Sequence, residues 1–262
     1  MILFSDLLDQ LESAEASLIS LVDKKTGLIE PPKYNQVINL LNAGLSDIFV
    51  KFQVREGSCV IQTTEGVYNY VLDKSNALTQ DKINGFILDD ESSPFDDEVL
   101  EVTEVSSISG RVLPFNTMDR DLQQRDYDRS YSYDVDDCRR SFSSPKYKSL
   151  RTPLGLKSCL LTLKYKVGHT KIPKLTSTDL ETFDPESLVV DLPYVYLVPL
   201  TYYIISRLAN ARGTERAGQG MFNEGNNFYS KYLAECNQIK ETMSQSEQTA
   251  ENSNNFHQRG FV

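Results

Sequence analysis

The chain has 262 residues, enough for one large domain or two modest ones with buried cores. Its formal net charge is −10, with 27 basic and 37 acidic residues. Lysine and arginine supply most of the affinity of proteins for a phosphate backbone, so this composition argues against a protein that holds nucleic acid tightly.

Two helices are predicted at the N-terminus. Leucines and alanines recur every three or four residues over 5–24, with Ser5 as the N-cap and Gly27 as the exit. A second amphipathic pattern covers 33–52, directly after Pro31 and Pro32, which suit a helix entry. Because the linker is short, we expect the two helices to form an antiparallel hairpin.

The hydrophobic period changes from helical to alternating after residue 53. Short β-branched and aromatic runs over 53–115 predict strands, and 99–105 alternates apolar with acidic residues, as a half-buried strand does. Gly110 and Arg111 predict a turn, and the apolar run 160–167 predicts another strand.

Residues 116–149 differ in composition from both neighbours. They are dense in Asp, Arg, Ser and Tyr and nearly lack aliphatic residues, so they form either a mobile loop or an arm that orders against a partner. Stacking of nucleic-acid bases on the tyrosines is conceivable, but the aspartates cancel the charge it needs. Since Tyr and Arg dominate protein interfaces, we favour an interface arm over a nucleic-acid site. Its candidate residues are Arg125, Tyr127, Arg129, Tyr131, Tyr133, Arg139 and Arg140. For the charged residues a solvated loop is an equally good interpretation.

Helical patterns return near residue 191. Asp191 is a candidate cap and Pro193 an entry residue for a helix over 194–211 that is apolar nearly all round, with Pro199 expected to kink it. A last amphipathic helix is predicted at about 226–246. The longest apolar run, Leu192–Ile205, is too short to span a bilayer, so we expect no membrane segment.

These elements predict an α+β protein in which N- and C-terminal helices form one bundle, with an antiparallel β domain inserted and extended arms. The expected domains are a helical hairpin, a β-rich domain carrying the arm, a pair of C-terminal helices and a polar tail, at 1–53, 54–190, 191–246 and 247–262.

The residues that catalysis or metal binding requires are scarce. The two histidines, His169 and His257, stand apart, and no nucleophile elbow or phosphate-binding loop occurs. The acidic runs at 89–91 and 96–98 lack the glycine and spaced oxygen ligands of a calcium loop. The four cysteines form no Cys-x-x-Cys pair, so we expect reduced thiols. We therefore expect no catalytic site, metal or cofactor.

The acidic N-terminus also lacks the features of a signal peptide, so we expect no cleaved leader.

Four segments, in this order, resemble the head–tail adaptor (connector) proteins of short-tailed double-stranded-DNA bacteriophages. The first is FSDLLDQL followed by YNQVINLLNAGLSDIFVKF, and the second is VLEVTEVSSISGRVLPFN. The third is RSFSSPKYKSLRTP followed by LLTLKYKVGH, and the fourth is LPYVYLVPLTYYIISRLANARG followed by FNEGNNFYSKYLAECNQIK. The resemblance covers most of the chain, and the acidic insertions at 73–98 and 116–146 exceed the usual pattern of the family.

The resemblance implies a structural virion protein at the portal–tail neck, assembled in the host cytoplasm. Such adaptors form a ring, commonly of twelve copies, below the portal protein. The ring extends the DNA channel without sequence-specific binding and docks tail nozzle or tail fibre proteins, for genome retention and ejection. By analogy, residues 247–262 grip the portal, and the candidate contacts are Phe256, His257, Arg259, Phe261 and Val262.

Two other interpretations remain open at this point. A tail nozzle or head-completion protein of the same virion would share the composition but not the place, and crosslinking to the portal separates the two. An enzyme, such as a cell-wall hydrolase carried in the tail, would require an acid–base pair for which the sequence offers little.

Overall fold

The computed structural model describes residues 1–13, 21–23, 25–78, 85–88, 95, 98–116, 141–153, 155–213 and 224–242. Its helices are α1 (Phe4–Ser13), α2 (Tyr34–Lys51), α3 (Ser177–Thr182), α4 (Leu197–Gly213) and α5 (224–242). Its strands are β1 (Ile2–Leu3), β2 (Glu56–Gln62), β3 (Asn69–Val71), β4 (Ala77–Leu78), β5 (Ile87–Leu88), β6 (Val99–Ser107), β7 (Phe115–Asn116), β8 (Phe142–Ser143), β9 (Ser149–Arg151), β10 (Leu160–Val167) and β11 (Val189–Val190). The fold class is therefore α+β, as the sequence predicts.

The chain divides into two compact units. A helical unit consists of Met1–Leu45 and Lys171–Val262, and a β unit consists of Ser46–Thr170. The sequence-based boundaries were placed where the hydrophobic period changes, after residues 53 and 190. The observed divisions come earlier in the chain, after Leu45 and after Thr170. The last turns of α2 belong to the β unit, and the extended segment after residue 170 belongs to the helical unit.

The N-terminal helix differs from its prediction at both ends. It begins at Phe4, so Ser5 lies inside the helix rather than at its N-cap, and the carboxylate of Asp6 accepts from the backbone N–H of Leu3 (3.2 Å), the residue before the helix. Val22, expected to be helical, instead forms a β-bridge with Ile29. Gly27 (φ 72°) closes the turn between them by donating to the Asp23 carbonyl, 2.8 Å away.

Three aromatic rings surround the start of α1. Phe4, Tyr34 and Phe183 meet edge to face, with ring centroids 5.8–6.0 Å apart. Phe4 and Tyr34 are the first residues of α1 and α2, so the two helices meet at their N-termini. An antiparallel hairpin, the arrangement expected from the short linker, would instead bring the start of one helix to the end of the other.

Two asparagines of α2 hold an extended segment against the helix. Asn35 and Asn42 stand seven residues apart, which is two helical turns, and so share one face. The amide of Asn42 accepts from the backbone N–H of Ile172 and donates to its carbonyl, each at 2.9 Å. Asn35 binds Leu175 in the same way, at 2.8 and 2.9 Å. Each amide therefore satisfies both backbone groups of one residue, as a neighbouring strand would.

The helix α4 is buried on most of its surface, as its apolar composition predicts. Pro199 is its third residue, where a missing N–H costs no helical bond, so the expected interior kink does not arise there. A 3-10 turn over Tyr194–Tyr196 precedes the helix, and Pro193 rather than Asp191 is its N-cap. A Cβ on Gly44 of α2 would lie 2.6 Å from Leu200 Cδ1, so glycine permits this close approach to α4.

The β unit contains two sheets around one core. A five-stranded sheet has the order β4-β5-β2-β10-β6, and a four-stranded sheet has the order β3-β9-β8-β7. The strand β10 pairs antiparallel with β2 along one edge and with β6 along the other. Apolar residues of both sheets form the core, including Ile61, Leu163 and Leu150, each fully buried.

Most strands agree with the sequence, with two corrections. The strands predicted at 99–105 and 160–167 are present as β6 and β10. The β domain is not purely antiparallel, because β4 with β5 and β7 with β8 pair in parallel. Residues 141–149, assigned by composition to the arm, contain β8 and the first residue of β9, because Phe142 supplies the apolar side chain that the rest of that stretch lacks.

Replacing Asn42 by alanine should destabilise the protein. The Asn42→Ala variant leaves the N–H and carbonyl of Ile172 without their side-chain partners, a loss of about 1–3 kcal/mol in the free energy of unfolding. Urea denaturation measures it. Asn39→Ala is the matched control, because Asn39 is exposed on the same helix. Equal stabilities of the two variants would contradict a structural role for the amide.

Candidate functional site

The interface residues predicted from the sequence lie outside the described residues. This holds for the arm residues Arg125, Tyr127, Arg129, Tyr131, Tyr133, Arg139 and Arg140, and for the tail residues Phe256, His257, Arg259, Phe261 and Val262. Their roles stay predictions. The candidate surfaces that can be described are a groove in the β unit and a cluster of rings and cations in the helical unit.

A groove of about 300 Å³ opens on the β unit. A volume of this size is at the small end of ligand and side-chain pockets. Its walls come from four places in the chain: the end of α2, the start of β6, the end of β10 and the turn between β8 and β9. The residues lining it are Val50, Leu100, Glu101, Ser144, Lys146, Tyr147 and Lys166.

A β-bulge brings Leu100 to the groove. Val167 pairs with Val99 and Lys166 with Glu101, so Leu100 has no partner on β10. A second bulge leaves Thr103 unpaired in the same strand. Bulges re-aim side chains and discourage further strand pairing at an edge, and β6 is an edge strand of its sheet.

Two hydrogen bonds position the polar walls of the groove. The Lys166 ammonium donates to the Val50 carbonyl at 2.7 Å, which ties β10 to the end of α2. The Tyr147 hydroxyl donates to the carboxylate of Glu98, so the ring is held while 52% of the residue remains exposed. Burial, together with this bond, raises the pKa of Tyr147, which stays neutral at physiological pH. The ammonium of Lys146 has no partner among the described residues.

Lys148 lies between two carboxylates behind the groove. Its Nζ is 3.7 Å from Asp73 Oδ2 and 3.8 Å from Glu98 Oε1. Its backbone adopts the left-handed conformation (φ 53°), which a lysine enters at a cost of about 1 kcal/mol or more. The Lys148 carbonyl accepts from the Leu72 N–H at 2.8 Å, so β-unit contacts hold this turn in place.

His169 lies just after β10, next to Glu98 and Phe49. Its ring centroid is 5.9 Å from that of Phe49, and its Nε2 is buried without a hydrogen-bond partner among the described residues. Burial lowers the pKa of His169, and the attraction of Glu98 opposes this more weakly. The imidazole is therefore neutral at pH 7, and its environment is that of a packed side chain.

In the helical unit, cations and rings alternate where α4 meets α5. Arg207 lies over the rings of Tyr203 and Tyr229, with its guanidinium carbon 5.0 and 5.7 Å from their centroids. Lys231 lies in the same way over Phe228 and Tyr202, at 5.0 and 5.6 Å. Such contacts each contribute about 0.5–1 kcal/mol at partly exposed sites. They also place Tyr and Arg, the residue types favoured at protein interfaces, on one surface.

Sequence reasoning missed the groove. Glu101, Tyr147 and Lys166 are far apart in the chain and meet only because β10 pairs with β6 and the turn after β8 lies beside them. A partial signal existed in the mixture of apolar and acidic residues over 99–105, which marks Glu101 as a solvent-facing residue of a half-buried strand.

Comparison with known proteins does not assign this chain to a family. No family model matches the chain, and no curated protein has significant sequence similarity to it.

Within the described residues, no three His, Cys, Asp or Glu side chains are grouped so that they could hold a metal ion. None of the helices the structure describes is long and apolar enough to cross a bilayer. Cys59, Cys159 and Cys236 are not joined in disulfide bonds within the part of the chain that the structure describes.

The neutral, partly buried imidazole of His169 should make stability depend on pH. Below about pH 6.5 the unfolded chain takes up a proton at this imidazole more readily than the folded chain, so stability falls as the pH drops towards 5. In His169→Phe this part of the pH dependence is absent. Urea midpoints at pH 7.5 and 5.5 measure it, with His257→Phe as the control for removing an imidazole. Equal pH slopes in the wild type and His169→Phe would rule the assignment out.

Proposed function

We propose that this protein is a structural component of a virion, a head–tail adaptor that forms a ring below the portal of a short-tailed bacteriophage. The observation that carries the proposal is the order of four sequence segments that resemble this family. In this proposal the ring lies at the portal–tail neck, extends the DNA channel and docks tail nozzle or tail fibre proteins.

The described elements give those segments a consistent setting. The four segments coincide with α1 and α2, with β6 and its following turn, with β9 and β10, and with α4 and α5. These elements build both compact units, so the resemblance involves the framework of the protein rather than one local motif. The acidic composition favours passage of DNA through a ring over adhesion to it.

A binding role, rather than catalysis, also suits the polar groups of the groove. Glu98 is engaged by Tyr147 and Lys148, and Lys166 by a backbone carbonyl, so these groups hold the walls in place. A rigid groove with one solvent-facing ammonium, from Lys146, is suited to receiving side chains of a partner.

The test is mass determination of the purified chain, alone and mixed with its portal. A ring, or a monomer that becomes a ring only on the portal, is the expected result. A monomer that ignores the portal would favour the nozzle or head-completion alternatives.

Deleting residues 247–262 should abolish portal binding while the far-ultraviolet circular dichroism keeps its helical signal. The reason is that the proposed contacts, including Phe261 and Val262, are then missing. The matched control replaces 247–255 by a Gly-Ser stretch of equal length and keeps 256–262, and it should still bind. Undiminished binding by the deletion variant would contradict the role of the tail.

A further inference from the structure

The turn after β6 presents apolar side chains to solvent on a rigid backbone. Ile108 and Val112 are 60% and 59% exposed. The Ser107 hydroxyl bonds Ser109 Oγ at 2.8 Å and accepts from the Arg111 N–H at 3.2 Å. The Ser107 N–H donates to the Arg111 carbonyl at 2.9 Å. We call residues 107–112 the tip.

An apolar tip that is already ordered loses little conformational entropy when it binds a partner. Its backbone is already ordered, so a partner does not have to immobilise it. The guanidinium of Arg111 has no ion-pair partner among the described residues, and Leu160, 38% exposed, extends the apolar area at the same end of the sheet. Arginine is enriched at interface centres, and the exposed aliphatic side chains beside it supply apolar area that a partner can bury.

The groove has the complementary features. Val50, Leu100 and Tyr147 supply apolar walls, and its 300 Å³ would hold roughly ten water molecules, which is room for two aliphatic side chains. The Glu101 carboxylate, on the groove wall, has no ion-pair partner among the described residues and can receive Arg111.

A second charge pair fits the same docking. Lys146, whose ammonium has no partner among the described residues, has a counterpart in Glu65, whose backbone N–H is bonded by Ser158 at the end of the sheet where the tip lies. In this docking Glu101 and Lys146 of one copy would meet the opposite charges of Arg111 and Glu65 of the other.

The tip and the groove belong to opposite ends of one strand. From Glu101 to Ser107, β6 runs opposite five steps of β10, about 17 Å at the rise of an extended strand, and Leu100 and Ile108 lie just beyond the two ends of this span. The strand is paired along its length with β10, so a molecule cannot bend its own tip into its own groove. A tip that docks in this groove therefore comes from another molecule.

We infer that the groove receives the tip of a second copy of this chain, with Ile108 and Val112 against Leu100 and Tyr147, and with Arg111 on Glu101. The contact joins different surfaces of the two copies, so each subunit keeps one free tip and one free groove. Repetition of such a contact generates a closed ring or an open filament. The inference deepens the proposed function and rests on it, since it names the surfaces that join neighbours in the ring.

The test uses the full chain and three single variants. Ile108→Asp places a charge on the tip, and Leu100→Asp places one in the groove. Val71→Asp is the matched control, because Val71 is also an exposed aliphatic residue of the β unit, 54% exposed on β3. Thermal unfolding establishes that each variant folds, and sedimentation velocity over a concentration series, with and without the portal, reports its assembly.

We expect the wild type and Val71→Asp to assemble alike, and the tip and groove variants each to lose assembly, with a dissociation constant raised at least about tenfold. An equimolar mixture of Ile108→Asp and Leu100→Asp should stop at a heterodimer, because that mixture contains one intact tip and one intact groove per pair. The charge swap gives a second measure: Arg111→Glu and Glu101→Arg each weaken assembly, and together they restore it.

The outcomes separate the two proposals. If the wild type forms rings and Ile108→Asp forms them equally well, the tip-to-groove contact is wrong and the adaptor proposal stands. If the mixed variants remain monomers while the wild type assembles, the head-to-tail pairing is wrong. A wild type that stays monomeric at every concentration, with and without the portal, overturns the ring and the contact together.

Discussion

Backbone hydrogen bonding along both edges of β10 holds the β unit together. The strand pairs with β2 over seven residues and with β6 over nearly the same stretch, while its Leu161, Leu163 and Tyr165 enter the core. Gly57 of β2 is part of this constraint, because a Cβ there would lie 2.5 Å from the ring of the fully buried Tyr165. The other strands of the unit are shorter and build outwards from this centre.

The surfaces of the β unit follow from how β6 departs from regular pairing. At the start of β6 a bulge leaves Leu100 without a partner on β10, and this residue lines the groove. After the end of β6 the chain reverses through Gly110 (φ 84°), and Ile108 in this turn is exposed. Glu101 and Glu104 lie between, and Glu104 is paired with Lys164 at 3.0 Å. The same strand therefore separates two apolar surfaces with a charged, bulged edge that disfavours sheet-to-sheet association.

Local patterns predicted the elements better than their ends and partners. Alternation identified β10 because one face of the strand is buried, and this leaves a period of two in the sequence. In β6 the buried residues Val99, Val102 and Val105 recur every third residue, because each of its two bulges inserts one residue. The helical period before residue 24 misled, because Val22 pairs with Ile29 across a local turn, which apolar residues spaced three or four apart do not encode. The groove could not be foreseen, since Glu101, Tyr147 and Lys166 become neighbours only after long-range pairing.

The asparagine contacts of α2 have a kinetic consequence. Asn42 and Ile172 are 130 residues apart in the chain, and closing such a loop in an unfolded polymer costs about 4 kcal/mol. Once the β unit has folded, Phe49 and His169 are in ring contact, so the intervening residues act as a short tether. Folding of the β unit therefore lowers the entropic cost of pairing α2 with the segment that follows residue 170, and this pairing can form only after synthesis has passed Leu175.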